Sequence, residues 1–141
     1  MNVKQVLIAY PVTAVVFLAL DAVWLTTMAE RLYRPALGRL MLDRFDLAPA
    51  AAFYLVYLVG VVVFAVLPGL ESRRWMTSLG LGALLGFVAY ATYDLTNQAT
   101  LRDWPWRVTI ADLCWGTVVT GVTAAVGCRV SAWLTAGPDS A

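Results

Sequence analysis

Four apolar runs, at residues 3–28, 47–68, 75–96 and 107–130, each reach the length of a membrane crossing, and most of the charge lies in the segments between them. About 20 residues at roughly 1.5 Å rise cover the ~30 Å hydrocarbon layer, so each run can span as a helix. Within that layer every backbone N–H and C=O must be paired inside the protein, which leaves helices and closed barrels as the spanning forms. These runs are continuously apolar and far longer than barrel strands, which predicts an all-α polytopic membrane protein, a four-transmembrane-helix bundle. With four spans in 141 residues there is no room for a soluble domain. The reading is one transmembrane domain over 1–134 and a disordered tail over 135–141.

The first run is expected to stay in the membrane rather than be cleaved as a signal peptide. It exceeds the ~7–15 residues of a signal core and carries Asp21, and it ends in Thr26-Thr27-Met28-Ala29-Glu30 with no small-x-small cleavage site. From Glu30 to Asp46, Arg31, Arg34, Arg39 and Arg44 alternate with leucines and aromatics, which predicts a short amphipathic helix in the membrane interface, broken near Pro35 or Gly38. Pro68-Gly69 is expected to close the second span. Gly82 and Gly86 form a G-x-x-x-G pair that lets another helix approach closely, although glycine is also simply common in membrane helices. Trp104-Pro105-Trp106 precedes the fourth span, where tryptophans suit the interface and Pro105 can start a helix.

Composition removes several function classes. Net charge is +1 with the cations scattered, so nucleic acid is not an expected partner. Histidine is absent, which takes away the commonest general base at neutral pH and the usual haem ligand. Cys114 and Cys128 are 14 positions apart, about 21 Å along a helix, and cannot bridge each other. No cofactor motif is present, and no metal site is expected; two or three aspartates can in principle hold a divalent cation, but their spacing matches no metal signature.

The polar residues inside the spans gather at one side. Successive spans alternate in direction, so the ends of spans one and three lie level with the beginnings of spans two and four. Asp21, Asp94 and Asp112 all fall on that side, the side of the first loop. A carboxylate at membrane depth costs about 2.5–3.5 kcal/mol on insertion scales unless it faces the bundle, a partner or water, which makes each a candidate site residue. Helical spacing puts Trp24 beside Asp21, puts Tyr90 and Asn97 beside Asp94, and brings Trp115 close behind Asp112. Tyr54 and Tyr57 enter from the same end of span two, and Tyr33 and Arg34 follow span one. Together they predict a polar cavity with aromatic walls, opening at one interface. The structural alternative is that the aspartates cap helices or pair with Arg34, Arg102 or Arg107 at the headgroup level, and that the tryptophans are interfacial anchors.

Leu20-Asp21, Trp24-Leu25, Tyr33-Arg34, Leu37-Gly38, the stretch YATYDLTN over 90–97, Ala99-Thr100-Leu101, Trp104-Pro105 and Asp112 with Trp115-Gly116 form a pattern. It resembles a family of small bacterial membrane proteins filed as domain of unknown function 2177, and extends to about residue 130. The resemblance implies a multi-pass, four-helix protein of the bacterial inner membrane. It brings no reaction with it.

Three functional readings follow. The acidic and aromatic cluster suits binding or modification of a lipid-like amphiphile or small molecule, with the carboxyls as general acid and base. A membrane aspartate also suits a small proton-coupled transporter, although alternating access prefers a site near the midplane. The third is a membrane assembly subunit that packs its glycine faces against a larger partner or a second copy. Both termini are expected on one side. The first and third loops carry six arginines, against Lys4, Arg73, Arg74 and Arg129 opposite, which favours cytoplasmic first and third loops.

Overall fold

A computed structural model describes residues 3–136. The described residues form four long helices: α1 (Val3–Leu37), α2 (Leu47–Glu71), α3 (Trp75–Thr100) and α4 (Trp106–Ala136). Each is long and apolar enough to cross a membrane, and together they form a four-helix membrane bundle. All four run past their expected ends, α1 to Leu37, α2 to Glu71, α3 to Thr100 and α4 through Thr135 and Ala136. The rest of the tail expected to be disordered, residues 137–141, lies outside the described residues.

The segment after the first span is not a separate interfacial helix. Its first half continues α1 through a wide π-helical turn, Ala29–Tyr33, and one further α-turn, Arg34–Leu37. The chain then breaks at Gly38 and runs through turns and irregular backbone to Asp46. Asp46 starts α2 by accepting a hydrogen bond from the Ala48 N–H at 3.1 Å. A second π turn, Val62–Val66, lies near the end of α2. Each wide turn ends two residues before a proline, Pro35 or Pro68. A proline ring collides with the carbonyl four residues back and donates no hydrogen bond. Widening the turn, so that Arg34 bonds to the Ala29 carbonyl and Leu67 to that of Val62, lets the helix continue past the ring. Pro68 therefore does not end α2.

The hairpin between α2 and α3 is tight. The Arg73 and Arg74 N–H groups return to the Leu70 and Gly69 carbonyls at 3.2 and 2.9 Å, and Arg73 takes a left-handed backbone with φ 54°. Asp103, with φ 58°, makes a similar reversal before α4.

The central helix is α4, half of whose most apolar stretch is buried, against 17–33% in the other three. It pairs most closely with α3. A Cβ on Gly82 would stand 2.7 Å from Ala124 Cβ and 2.8 Å from the Thr120 carbonyl, and one on Gly86 would collide with the Gly116 carbonyl. The G-x-x-x-G face is thus occupied by the chain's own fourth helix, at a separation only glycine permits. Towards the termini the interior is filled by Ala9, Val61, Val62, Ala65, Val66, Leu67, Leu70, Ala124 and Cys128. Phe17, Leu58 and Val119 form a second layer nearer the first loop. Exposed Val15, Val56, Phe64, Leu84 and Val118 face outward, as a bundle surrounded by lipid requires.

Candidate functional site

The three membrane aspartates are each at least 93% buried and lie on three different helices, yet their surroundings differ. Asp21 of α1 is fully engaged. Its Oδ2 accepts from the Tyr54 hydroxyl at 2.5 Å, and its Oδ1 from Trp115 Nε1 at 3.2 Å. The Trp115 ring lies flat on that of Trp24, with centroids 4.5 Å apart and planes 6° from parallel. Trp24 Nε1 donates at 2.9 Å to the Tyr33 hydroxyl, which in turn donates to Asp112 Oδ1. A relay of alternating donors, acceptors and stacked rings therefore runs from Tyr54 through Asp21, Trp115, Trp24 and Tyr33 to Asp112.

Asp94 is the exception. It has no exposed surface, and its carboxyl oxygens meet no N–H or hydroxyl donor. Its neighbour is the carboxyl of Asp112. Two carboxyl groups hydrogen-bond to each other only with a proton between them, and repel when both are charged. Arg34, the nearest arginine in the sequence to Tyr33, pairs instead with Glu30, at 2.6 Å on the surface of α1. The pairing of the aspartates with Arg34, Arg102 or Arg107 weighed from the sequence is therefore not what the structure shows. Arg34 instead borders a surface groove with Arg39, Arg102 and Asp103. Among the described residues no three acids or thiols gather closely enough to hold a metal ion.

Asp112 also closes the inner end of a cleft of about 290 Å3 between α2 and α3, whose other walls are Phe53, Tyr57, Ala89, Tyr90 and Tyr93. Phe53 stacks on Tyr57 at 5.3 Å. The Tyr57 hydroxyl is tied to Thr120 Oγ1 at 2.8 Å. The Tyr90 ring lies where Gly116 has no side chain; a Cβ there would strike it. Phe53 and Tyr93 are exposed on the outer faces of their helices, so the cleft opens sideways towards lipid.

The structure thus brings Asp94 and Asp112 together, with Tyr90 and Tyr57 against the same cleft. It connects Asp21, Trp24, Trp115, Tyr54 and Tyr33 to Asp112 through the relay rather than through a shared cavity. Asn97 sits one turn beyond, beside Tyr93. Phe53, Ala89 and Tyr93 were not singled out in the sequence, although Phe53 lies one turn from Tyr57 and Tyr93 one turn from Tyr90. Trp104 is not an interfacial anchor. It is buried, its Nε1 donates to Thr109 Oγ1 at 3.2 Å, and Gln98 bridges Thr109 and the Trp104 carbonyl. Trp106 remains exposed.

No curated protein and no solved structure matches the chain. Residues 6–129, which take in all of the acidic and aromatic site, match the family described as predicted membrane protein (DUF2177), and the chain belongs to that family.

Proposed function

We propose that this protein binds, within a bacterial inner membrane, a lipid-like amphiphile whose head carries a positive charge or a hydrogen-bond donor. The observation that carries the reading is the lateral cleft itself: Asp112 forms its inner end, backed by the undonated Asp94, and aromatic rings form its sides. Carboxyl oxygens without donors are costly to bury, at about 1–3 kcal/mol each, and a ligand that supplies donors repays that cost. Aromatic faces around an acid also suit an ammonium group, through the attraction of a cation to the π-system. A cleft of about 290 Å3 takes a head and the first part of a chain while the remainder stays in lipid. Binding, rather than chemical modification, is favoured because no nucleophile with an adjacent base lines the cleft. A path through to the other face is disfavoured by the packed layer of Phe17, Leu58 and Val119 next to the site.

The test is mass spectrometry of the small molecules that stay with the protein after gentle solubilisation. The expected result is an amine-bearing amphiphile retained by the native chain and lost from Asp112→Asn. Retention of the same molecules by both would overturn the reading, and pH-driven flux through the protein in proteoliposomes would favour transport.

A further inference from the structure

The opposite end of the bundle holds a larger cleft, of about 680 Å3, which the acidic site does not explain. It lies between the start of α1, the α2–α3 hairpin and the end of α4. Among the described residues that line it, the charged ones are Lys4, Arg73 and Arg129, and none is an acid. Its floor is apolar, formed by Leu70, Cys128 and Gly69. One of the arginines is set by the hairpin backbone and the other is held by a ring. Arg73 projects from the left-handed turn that closes the hairpin, and the Arg129 guanidinium lies over the Trp75 ring, 5.7 Å from its centroid. A cation–π contact orients the guanidinium without neutralising it, so its donors stay available to an anion. The first-loop groove differs in containing Asp103 among its arginines.

Two arginines over an apolar floor, at the end of membrane helices and next to an exposed tryptophan, match the junction between a phosphate and its acyl chains. A soluble phosphate would have no use for the apolar floor. We infer that this cleft is a binding site for the phosphate-bearing headgroup of an anionic phospholipid, with Arg73 and Arg129 as its principal ligands and Trp75 as the plate that holds Arg129. The cleft is sized for one headgroup and its ester region. The bound lipid would bridge α1, the hairpin and α4 where the bundle ends.

The test is native mass spectrometry and thermal unfolding of full-length protein in nanodiscs of phosphatidylglycerol or phosphatidylcholine. Variants are the double Arg73→Gln/Arg129→Gln, Arg129→Lys, and a control with Arg31→Gln/Arg39→Gln at the other face. The expected result is one tightly retained phosphatidylglycerol per chain, with a raised unfolding temperature. Retention should fall about 30-fold in the double variant, since two interfacial charges are lost, and should be largely kept in Arg129→Lys and in the control. Should the double variant fold poorly, the lipid competition on the native chain decides alone. Equal retention of the two lipids, equal losses in the double variant and the control, or displacement of the lipid by millimolar inorganic phosphate or glycerol phosphate would each overturn the assignment.

Discussion

Replacing Asp94 by asparagine is expected to make the protein more stable, which is the reverse of what most changes to a buried polar residue do. The native carboxyl is fully buried, receives no N–H or hydroxyl donor and has only the carboxyl of Asp112 within reach. Asparagine keeps its shape but adds two N–H donors that can reach the Asp112 carboxylate. Relieving a buried unsatisfied group is worth about 1–3 kcal/mol, and the new bond to a charged acceptor adds to it. A net gain on the order of 1–3 kcal/mol should raise the unfolding midpoint by several degrees. Asp21→Ala provides the contrast. It leaves the Tyr54 hydroxyl and the Trp115 indole without their acceptor, at a cost of about 2–5 kcal/mol for the two donors together. The assay is tryptophan-fluorescence unfolding of both variants in the same detergent, alongside ligand retention. Asp94→Asn should be stabilised and lose its ligand, the pattern of a residue kept for function at the expense of stability. If Asp94→Asn lowers the midpoint as far as Asp21→Ala does, Asp94 is a structural group and the reasoning fails.

Gly86→Leu should separate α3 from α4, because its first side-chain carbon already meets the Gly116 carbonyl; the expected cost is at least about 1–3 kcal/mol, read as a lower unfolding midpoint. Gly80, where an added Cβ meets nothing within 4 Å, is the matched site at which the same change should cost little. Tyr33→Phe removes the hydroxyl between Trp24 and Asp112 and should cost about 1–3 kcal/mol in the same assay while leaving the stacked tryptophans in place. Single cysteines placed between 38 and 46, in a variant lacking Cys114 and Cys128, should resist a membrane-impermeant reagent added to intact cells and react after lysis, as cytoplasmic first and third loops require.

The four spans were legible because the bilayer imposes a length that sequence displays directly. Helix ends were less so. Pro68-Gly69 reads as a stop, yet α2 continues because the π turn before Pro68 absorbs the ring, and nothing in the residues themselves announces that turn. The same device hid the role of Tyr33. Nine residues of regular helix rotate by about 900°, which would put Tyr33 on the opposite face from Trp24. The wide turn over Ala29–Tyr33, which rotates less per residue, brings its hydroxyl back to the Trp24 indole. The three aspartates could be found from the cost of burying charge, but cost alone cannot distinguish one that is satisfied from one that is not. Asp21 finds two donors and Asp94 none, a difference set by residues as distant in sequence as Tyr54 and Trp115. The glycine pair told which face of α3 is closely packed but not with what; the partner is α4 of the same chain, so that face is not free for a second protein.

Occupancy of the lateral cleft is read by photo-crosslinking in native membranes from a photoreactive residue at position 53, at the mouth of the cleft, compared with one at position 64, on the exposed outer face of the same helix. Mass spectrometry of the adducts reads what each position touches. Position 53 should capture one amine-bearing amphiphile, Asp112→Asn should abolish the capture, and position 64 should capture only bulk phospholipid in either background. Identical adducts at the two positions, or a capture at 53 that Asp112→Asn leaves unchanged, would contradict amphiphile binding in the cleft.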